Sequence, residues 1–335
     1  MILIRADANE HIGTGHVMRC LSVARAFVDK GEKVIFVTAD HRGDALIKQQ
    51  GFETVCLDSD WTNMESERVD EVVKAYKPNL LLLDSYYVTE AYINSLSKIV
   101  RTAYFDDLNV QRWNVDFLIN YNIFASVFDY SRYDGTKTKL LLTPQYAPLR
   151  DEFKNCPKHK TESVSDILVS AGGADPEHIT EKIMAGICPG MGEIRFHFIV
   201  GALNPRLEDI KNLAKGKDNV ILHINEKHMS DLMKDCDIAI SAAGTTLYEL
   251  CATGTPTITY TLADNQLVAA EQFDKQGIML SAGDCRGADE FIDRVKACIE
   301  KLTGDMELRR VLSEKMQHLV DGNGANRIAD ALLGV

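Results

Sequence analysis

Short apolar runs of strand length alternate with longer amphipathic stretches over the first 105 residues, and this alternation restricts the chain more than any other feature. MILIR at 1–5 precedes a helical stretch at 16–30, KVIFV at 33–37 precedes 43–50, and FETVCL at 52–57 precedes 65–76. NLLLLD at 79–84 then precedes 88–96, and IVRTAYF follows at 99–105. Runs bounded by Gly, Pro, Asn or Asp and separated by helix-length segments predict a parallel sheet covered by helices on both faces. Within 16–30, Val17, Leu21, Ala24 and Val28 make the buried stripe, whereas His16 and Arg19 share another side of the helix. VDFLIN at 115–120 and KLLLT at 139–143 add two strands, with a long polar and aromatic loop between them.

From 150 to 165 the chain reads RDEFKNCPKHKTESVS, charged, with a proline and no clean period, which marks a linker. The rhythm then restarts. DILVSAGG at 166–173, IRFHFIVG at 194–201, NVILHI at 219–224, DIAIS at 237–241 and PTITY at 256–260 are strand candidates. Helical stretches fall between and after them, from about 177 and at 206–215, 228–235, 246–253 and 264–276. Two successive blocks of this kind predict an α/β fold of two Rossmann-like domains, 1–150 and 160–335, facing across a cleft where ligands sit. Three helical segments, 288–301, 307–319 and 324–333, close the chain, and the last can pack back on the first domain.

With 335 residues and 45% hydrophobic content the chain has enough apolar material for two medium domains. Its net charge of -12, from 49 acidic and 37 basic residues, argues against a protein whose main task is to hold a nucleic-acid backbone. No run reaches transmembrane length and the first residues lack a signal-peptide pattern, so a cytoplasmic protein without membrane insertion is expected. The eight cysteines include no CxxC and the nine histidines no HExxH. Reduced, mostly structural cysteines are therefore expected, with no zinc cluster, disulfide scaffold, catalytic metal or cofactor, and no obligate protein partner.

Several junctions between strand and helix carry residues suited to chemistry. In IGTGH, 12–16, Gly13 and Gly15 allow a tight turn and a close backbone approach, and the free N–H groups at the helix start favour an electron-rich ligand. Met18 stands where a dinucleotide fingerprint needs its third glycine, and no Walker lysine follows. His16 is either a polar helix-start residue or a base, since neutral imidazole accepts a proton from water. LLLLDSYY, 80–87, sets Asp84, Ser85 and Tyr86 at the end of an apolar strand, where parallel sheets present functional side chains.

In the second block, SAAGTTLYE at 241–249 offers Ser241, Ala242, Gly244, Thr245 and Thr246 to a diphosphate and Glu249 to a ribose. Its rival reading is a tight turn in which Thr245 or Thr246 caps a helix and Glu249 completes a capping box. SAGGADP at 170–176 lines a ligand through Gly173, or else Asp175 and Pro176 simply start a helix. Asn265 and Gln266 of LADNQ bind sugar hydroxyls or acetamido groups, or cap. The paired Asp106 and Asp107, followed by Arg112, suit an acid/base pair or magnesium, but adjacent strand-end residues point opposite ways, which favours a loop hydrogen-bond network. Aromatic residues at 121, 124, 128, 130 and 133 either line a sugar pocket or pack the loop.

Taken in order, IRADANEHIGTGHVMRCLSVARAF, LLLDSYYV, FDDL, SAGGADPEHIT, SAAGTTLYEL and LADNQ closely resemble the nucleotide-sugar hydrolases of pseudaminic acid biosynthesis, over roughly residues 1–280. Those enzymes share the two-domain glycosyltransferase-B architecture of the lipid II-forming N-acetylglucosaminyltransferase. The resemblance implies hydrolysis of UDP-2,4-diacetamido-2,4,6-trideoxy-β-L-altropyranose to UDP and free sugar, with water attacking the anomeric carbon and inversion. It matches the family's catalytic histidine to His16, its tyrosine to Tyr86 and its asparagine to Asn265, and places nucleotide binding at 241–246 and Glu249. Gly13, Gly15, Arg19, Asp84, Gly173 and Gln266 are then substrate contacts, with no metal needed. Ser85 stands where members commonly carry histidine, and Ala243 replaces one glycine of the nucleotide loop. A transferase of the same fold, a non-catalytic nucleotide-sugar binder, and a related sugar carried by UDP or CMP are the alternatives.

Overall fold

A computed structural model describes the chain except residues 64–65, 158–162, 174, 202–203 and 288–289; the middle of the expected linker thus lies outside the described residues. The chain divides into two compact units, Met1–Asp151 with Asn323–Val335, and Glu152–Gly322.

The strands of the first unit are β1 Ile2–Ala6, β2 Val34–Thr38, β3 Glu53–Cys56, β4 Leu80–Asp84, β5 Thr102–Phe105, β6 Phe117–Asn120 and β7 Lys139–Leu142. They form one parallel sheet in the order β3-β2-β1-β4-β5-β6-β7. Helices α1 Gly15–Asp29, α2 Asp44–Gln49, α3 Ser66–Tyr76 and α4 Glu90–Leu96 connect β1 through β5 in turn. Because right-handed crossovers put helices on both faces, the central strands β1, β2 and β4 are buried at every position, whereas edge strand β3 is half open. This is why NLLLLD reads as unbroken leucine and FETVCL does not.

The second unit repeats the plan with β8 Asp166–Ser170, α5 Ile179–Gly186, β9 Arg195–Val200, α6 Leu207–Ala214, β10 Val220–Ile224, α7 Met229–Asp235 and β11 Ile238–Ala242. It continues through α8 Thr246–Thr253, β12 Thr257–Thr261, α9 Asp264–Lys275, β13 Leu280–Asp284, α10 Phe291–Gly304 and α11 Met306–Leu319. Its parallel sheet runs β10-β9-β8-β11-β12-β13. Strand β13 is absent from the strands read in the sequence. Its residues LSAGD are short and small, and it pairs at the sheet edge through a shifted register next to Thr259 and Thr261, so no apolar run announces it. Helix α5 starts two residues later than the sequence suggests, because the buried Asp175 carboxylate accepts from the N–H groups of Ile179 and Thr180 at 2.8 and 2.9 Å.

The closing helix α12, Gly324–Leu333, belongs to the first unit, against α1 and the turn Pro144–Tyr146. A Cβ on Gly324 would stand 2.1 Å from the Ala147 carbonyl oxygen, so this contact needs glycine. Arg101 Nη2 donates to Leu332 O at 3.2 Å, Arg327 Nη1 to Gln145 O at 3.0 Å, and Lys30 pairs with Asp330. Among the described residues no helix is long and apolar enough to cross a membrane.

Each sheet reverses its strand order once, between β1 and β4 and between β8 and β11. In open α/β sheets the crevice outside the carboxyl ends of such strands is where ligands bind.

Candidate active site

In the first unit that crevice is built from the loop after β1 and the end of β4, whose registers place Ala6 beside Asp84. The loop closes on itself: Gly13 N–H donates to Asn9 O at 2.8 Å, and Asn9 Oδ1 accepts from His11 and Ile12 N–H at 2.9 and 3.0 Å. Gly13 sits at φ +70°, the left-handed region that glycine adopts without penalty, and a Cβ there would meet nothing within 4 Å. Thr14 precedes α1 without a side-chain cap, so the N-terminus of α1 opens on this loop with His16 in its first turn.

His16 and Asp84 are both buried. His16 Nδ1 lies 2.6 Å from Asp84 Oδ1, and Arg19 grips the same carboxylate from one turn further along α1, with Nη2 to Oδ1 and Nε to Oδ2 both at 2.6 Å. Cys20 adds its thiol to Oδ2 at 3.4 Å. Burial alone would raise the Asp84 carboxyl, but the Arg19 charge and hydrogen bonds, followed by those of His16, overcome it and hold Asp84 well below the usual carboxylate range. An ionised Asp84 only accepts, so His16 donates from Nδ1, and in the neutral imidazole the lone pair is then on Nε2.

Arg19 is anchored a second time by Asp107, 2.9 Å from Nη1, and lies over the Phe105 ring at 4.7 Å. Asp107 also accepts from the Tyr86 hydroxyl at 3.2 Å and Asn122 Nδ2 at 2.8 Å. The half-exposed Tyr86 ring stands edge-on to His16, with centroids 4.6 Å apart. Burial first and the Asp107 carboxylate second raise its phenol above the ordinary value, so the hydroxyl stays a donor. The neighbouring Asp106 turns the other way, buried, and accepts from Leu108 and Asn109 N–H at 3.2 and 2.9 Å.

Two of the expected substrate contacts are tied into the fold around His16. Asp84 lies behind His16 with its oxygens occupied, and Arg19 is held between two carboxylates. Both lie within hydrogen-bonding distance of His16 Nδ1, at 2.6 Å for Asp84 Oδ1 and 3.4 Å for Arg19 Nη2. Asp107, expected in a loop hydrogen-bond network, joins Arg19, Tyr86 and Asn122 in this site. The signal for it was the pairing of His16 and Arg19 on one helix face, because a buried guanidinium requires carboxylates at neighbouring strand ends.

The corresponding crevice of the second unit is made of small residues. Ser241 pairs with Ser170 in register, and the loops that follow them carry Gly173 and Gly244. Ser241 and Ala242 are buried while Gly244 and Thr245 are exposed. Helix α8 starts after Thr245 with no side-chain cap, and Thr246 is already inside the helix, so Thr246 is not the cap of a capping box with Glu249. Glu249 is half-buried one turn on. After β12, Asn265 is exposed in the first turn of α9, whereas Gln266 Oε1 accepts from Leu262 N–H at 2.9 Å and braces the preceding turn. Gly173, 241–246, Glu249, Asn265 and Gln266 thus follow the carboxyl ends of β8, β11 and β12, while Gly13, Gly15, His16, Arg19, Asp84 and Tyr86 gather in the first unit.

The same two-unit plan recurs over the full length of MurG from Acinetobacter baumannii, which covers 100% of this chain and 99% of its own at a TM-score of 0.73 and 13% identity. The fold is of the glycosyltransferase-B class. Sequence similarity extends to the spore coat polysaccharide biosynthesis protein SpsG of Bacillus subtilis, 23% identical over 98% of this chain and 96% of that protein. The UDP-2,4-diacetamido-2,4,6-trideoxy-β-L-altropyranose hydrolase of Campylobacter jejuni is 26% identical over 74% of this chain and 86% of its own length. An uncharacterized protein of Methanocaldococcus jannaschii is 25% identical over 77% of this chain, which spans about half, 54%, of that protein. No family model matches the chain.

Proposed function

We propose that the protein hydrolyses a UDP-linked 2,4-diacetamido-2,4,6-trideoxy sugar to UDP and the free sugar, with His16 as general base. The observation that carries this reading is the buried hydrogen bond from His16 Nδ1 to Asp84, which fixes the tautomer and leaves Nε2 as acceptor. Water gives a proton to Nε2 as its oxygen bonds to C1, the C1–oxygen bond to the diphosphate breaks with inversion, and UDP departs. Tyr86 and Asn265 orient the sugar. In the second unit, the loop 241–246 and the uncapped start of α8 receive the diphosphate through backbone N–H groups and hydroxyls, and Glu249 binds the ribose. Similarity to the Campylobacter jejuni hydrolase supports the substrate class, and similarity to SpsG keeps a related surface-polysaccharide sugar in the panel.

The test is incubation of the pure protein with UDP- and CMP-linked acetamido-sugars in the absence of an acceptor, followed by mass spectrometry and proton NMR. Equimolar free sugar and nucleoside diphosphate, with the new anomer first, is expected. Donor that stays intact until an acceptor hydroxyl is supplied identifies a transferase instead. Tight binding without turnover across the panel identifies a binding protein.

A further inference from the structure

Away from His16, the turn after β2 and the end of β3 bring three metal-ligating side chains of different chemistry together in the first unit. His41 begins the turn His41–Gly43, Cys56 is the last residue of β3, and Asp58 follows two positions later. One ligand atom from each lies within 4.8 Å of the others. Cys56 Sγ is 3.5 Å from Asp58 Oδ1, and His41 Nε2 is 3.7 Å from the same oxygen. Tetrahedral coordination with bonds of about 2.3 Å to sulfur and 2.0–2.2 Å to nitrogen or oxygen separates ligand atoms by about 3.3–3.6 Å. Two of the three separations are therefore already near coordination geometry.

A second observation concerns the other ring nitrogen. His41 Nδ1 lies 2.9 Å from Asp44 Oδ2, and Asp44 is a buried carboxylate that also accepts from Thr38 Oγ1 at 3.2 Å and Lys48 Nζ at 2.9 Å. Asp44 thus accepts the Nδ1–H hydrogen bond, and in neutral His41 the lone pair is then on Nε2, the atom facing Asp58. A carboxylate placed behind a histidine in this way is the support that metal-bound imidazoles usually have.

We propose that His41, Cys56 and Asp58 bind one divalent cation of the zinc class, with water as the fourth ligand. Thiolate, imidazole and carboxylate together suit zinc better than magnesium or calcium, which take oxygen alone. On binding, the Cys56 thiol releases its proton to solvent, so affinity rises with pH. The ligands lie 15 and 2 residues apart, a spacing that matches no zinc motif, and the sequence alone therefore did not disclose them. The cation would tie the end of edge strand β3 to a turn that abuts the catalytic loop. Arg42 of that turn pairs with Glu10 at 3.0 Å, and a Cβ on Gly43 would lie 3.5 Å from the Ala8 Cβ.

The test is anaerobic titration of the chelator-treated, reduced full chain with Co²⁺. One equivalent should produce a thiolate-to-cobalt charge-transfer band and strong four-coordinate visible bands, both displaced by Zn²⁺. The charge-transfer band should vanish in C56S and persist in C156S. H41A and D58A should weaken binding at least about tenfold, and D44N about 10–100-fold. Metal-free Tm values equal to wild type would show that these variants fold. No charge-transfer band at one equivalent, or a band that survives C56S, overturns the proposal.

Discussion

The first unit ends its central strands β1 and β4 in a buried ion network, whereas the second ends β8 and β11 in small residues and open backbone. Both crevices occupy the same point of the same strand order. In the first, His16, Asp84, Arg19 and Asp107 share short charged hydrogen bonds in a setting of low dielectric, where geometry is rigid and a missing partner is expensive. In the second, Ser170, Gly173, Ser241, Ala242 and Gly244 leave room beside the start of α8, which has no side-chain cap, and this suits a bulky anion better than a proton transfer. One topology thus carries a rigid charged network in one unit and a crevice of small residues in the other.

Several substitutions break or sharpen this contrast. His16→Ala should lower kcat by about 10²–10⁴-fold with the circular dichroism spectrum and the affinity for UDP unchanged. Unaltered product release would remove the first crevice from the chemistry. Asp84→Ala should reduce the unfolding free energy in urea by about 3–5 kcal/mol, because Arg19 loses a bidentate buried partner. A loss below about 1 kcal/mol would show that Asp107 alone suffices.

Asp84 also sets a pH dependence. Its folded carboxyl is held well below the unfolded value, so as pH falls the unfolded chain takes up the proton first. The stabilisation is complete above about pH 5 and declines as pH drops through the ordinary carboxylate value of about 3.9. Stability measured from neutral to acid pH should therefore fall more steeply in wild type than in Asp84→Asn, and parallel curves would refute the assignment.

The second crevice should respond in binding instead. Gly244→Val adds a side chain where nothing in the protein lies within 4 Å of the Cβ, so stability should hold while the Kd for UDP rises about tenfold. An unchanged Kd by calorimetry would move the diphosphate elsewhere. The smallest effect is expected at Gly13→Ala, where the space is free and only the φ of +70° resists, at about 1–2 kcal/mol by denaturant unfolding.

Where period and burial coincide, the fold was legible in advance. Val17, Leu21 and Ala24 are buried on α1, and Leu80 to Leu83 fill β4, whereas Val28, expected in the same stripe, is exposed in the last turn of α1. Edge strand β13 was not, because pairing on one side demands little apolar sequence. Within the site, residues near one another in the chain were readable and pairings across it were not. His16 and Arg19 lie three apart on one helix, but Asp84 is 68 residues from His16 and Asp107 is 88 from Arg19.

By itself the sequence determined the two α/β blocks and the glycine turns at the helix starts, because periodicity and turn chemistry are local. Tertiary structure alone decided that Asp84 and Arg19 meet His16 in one buried network. It also brought α12 onto the first unit and His41 next to Cys56 and Asp58. Those outcomes depend on which strands become neighbours and on charges that must find partners once water is removed, and neither is written in the order of the residues.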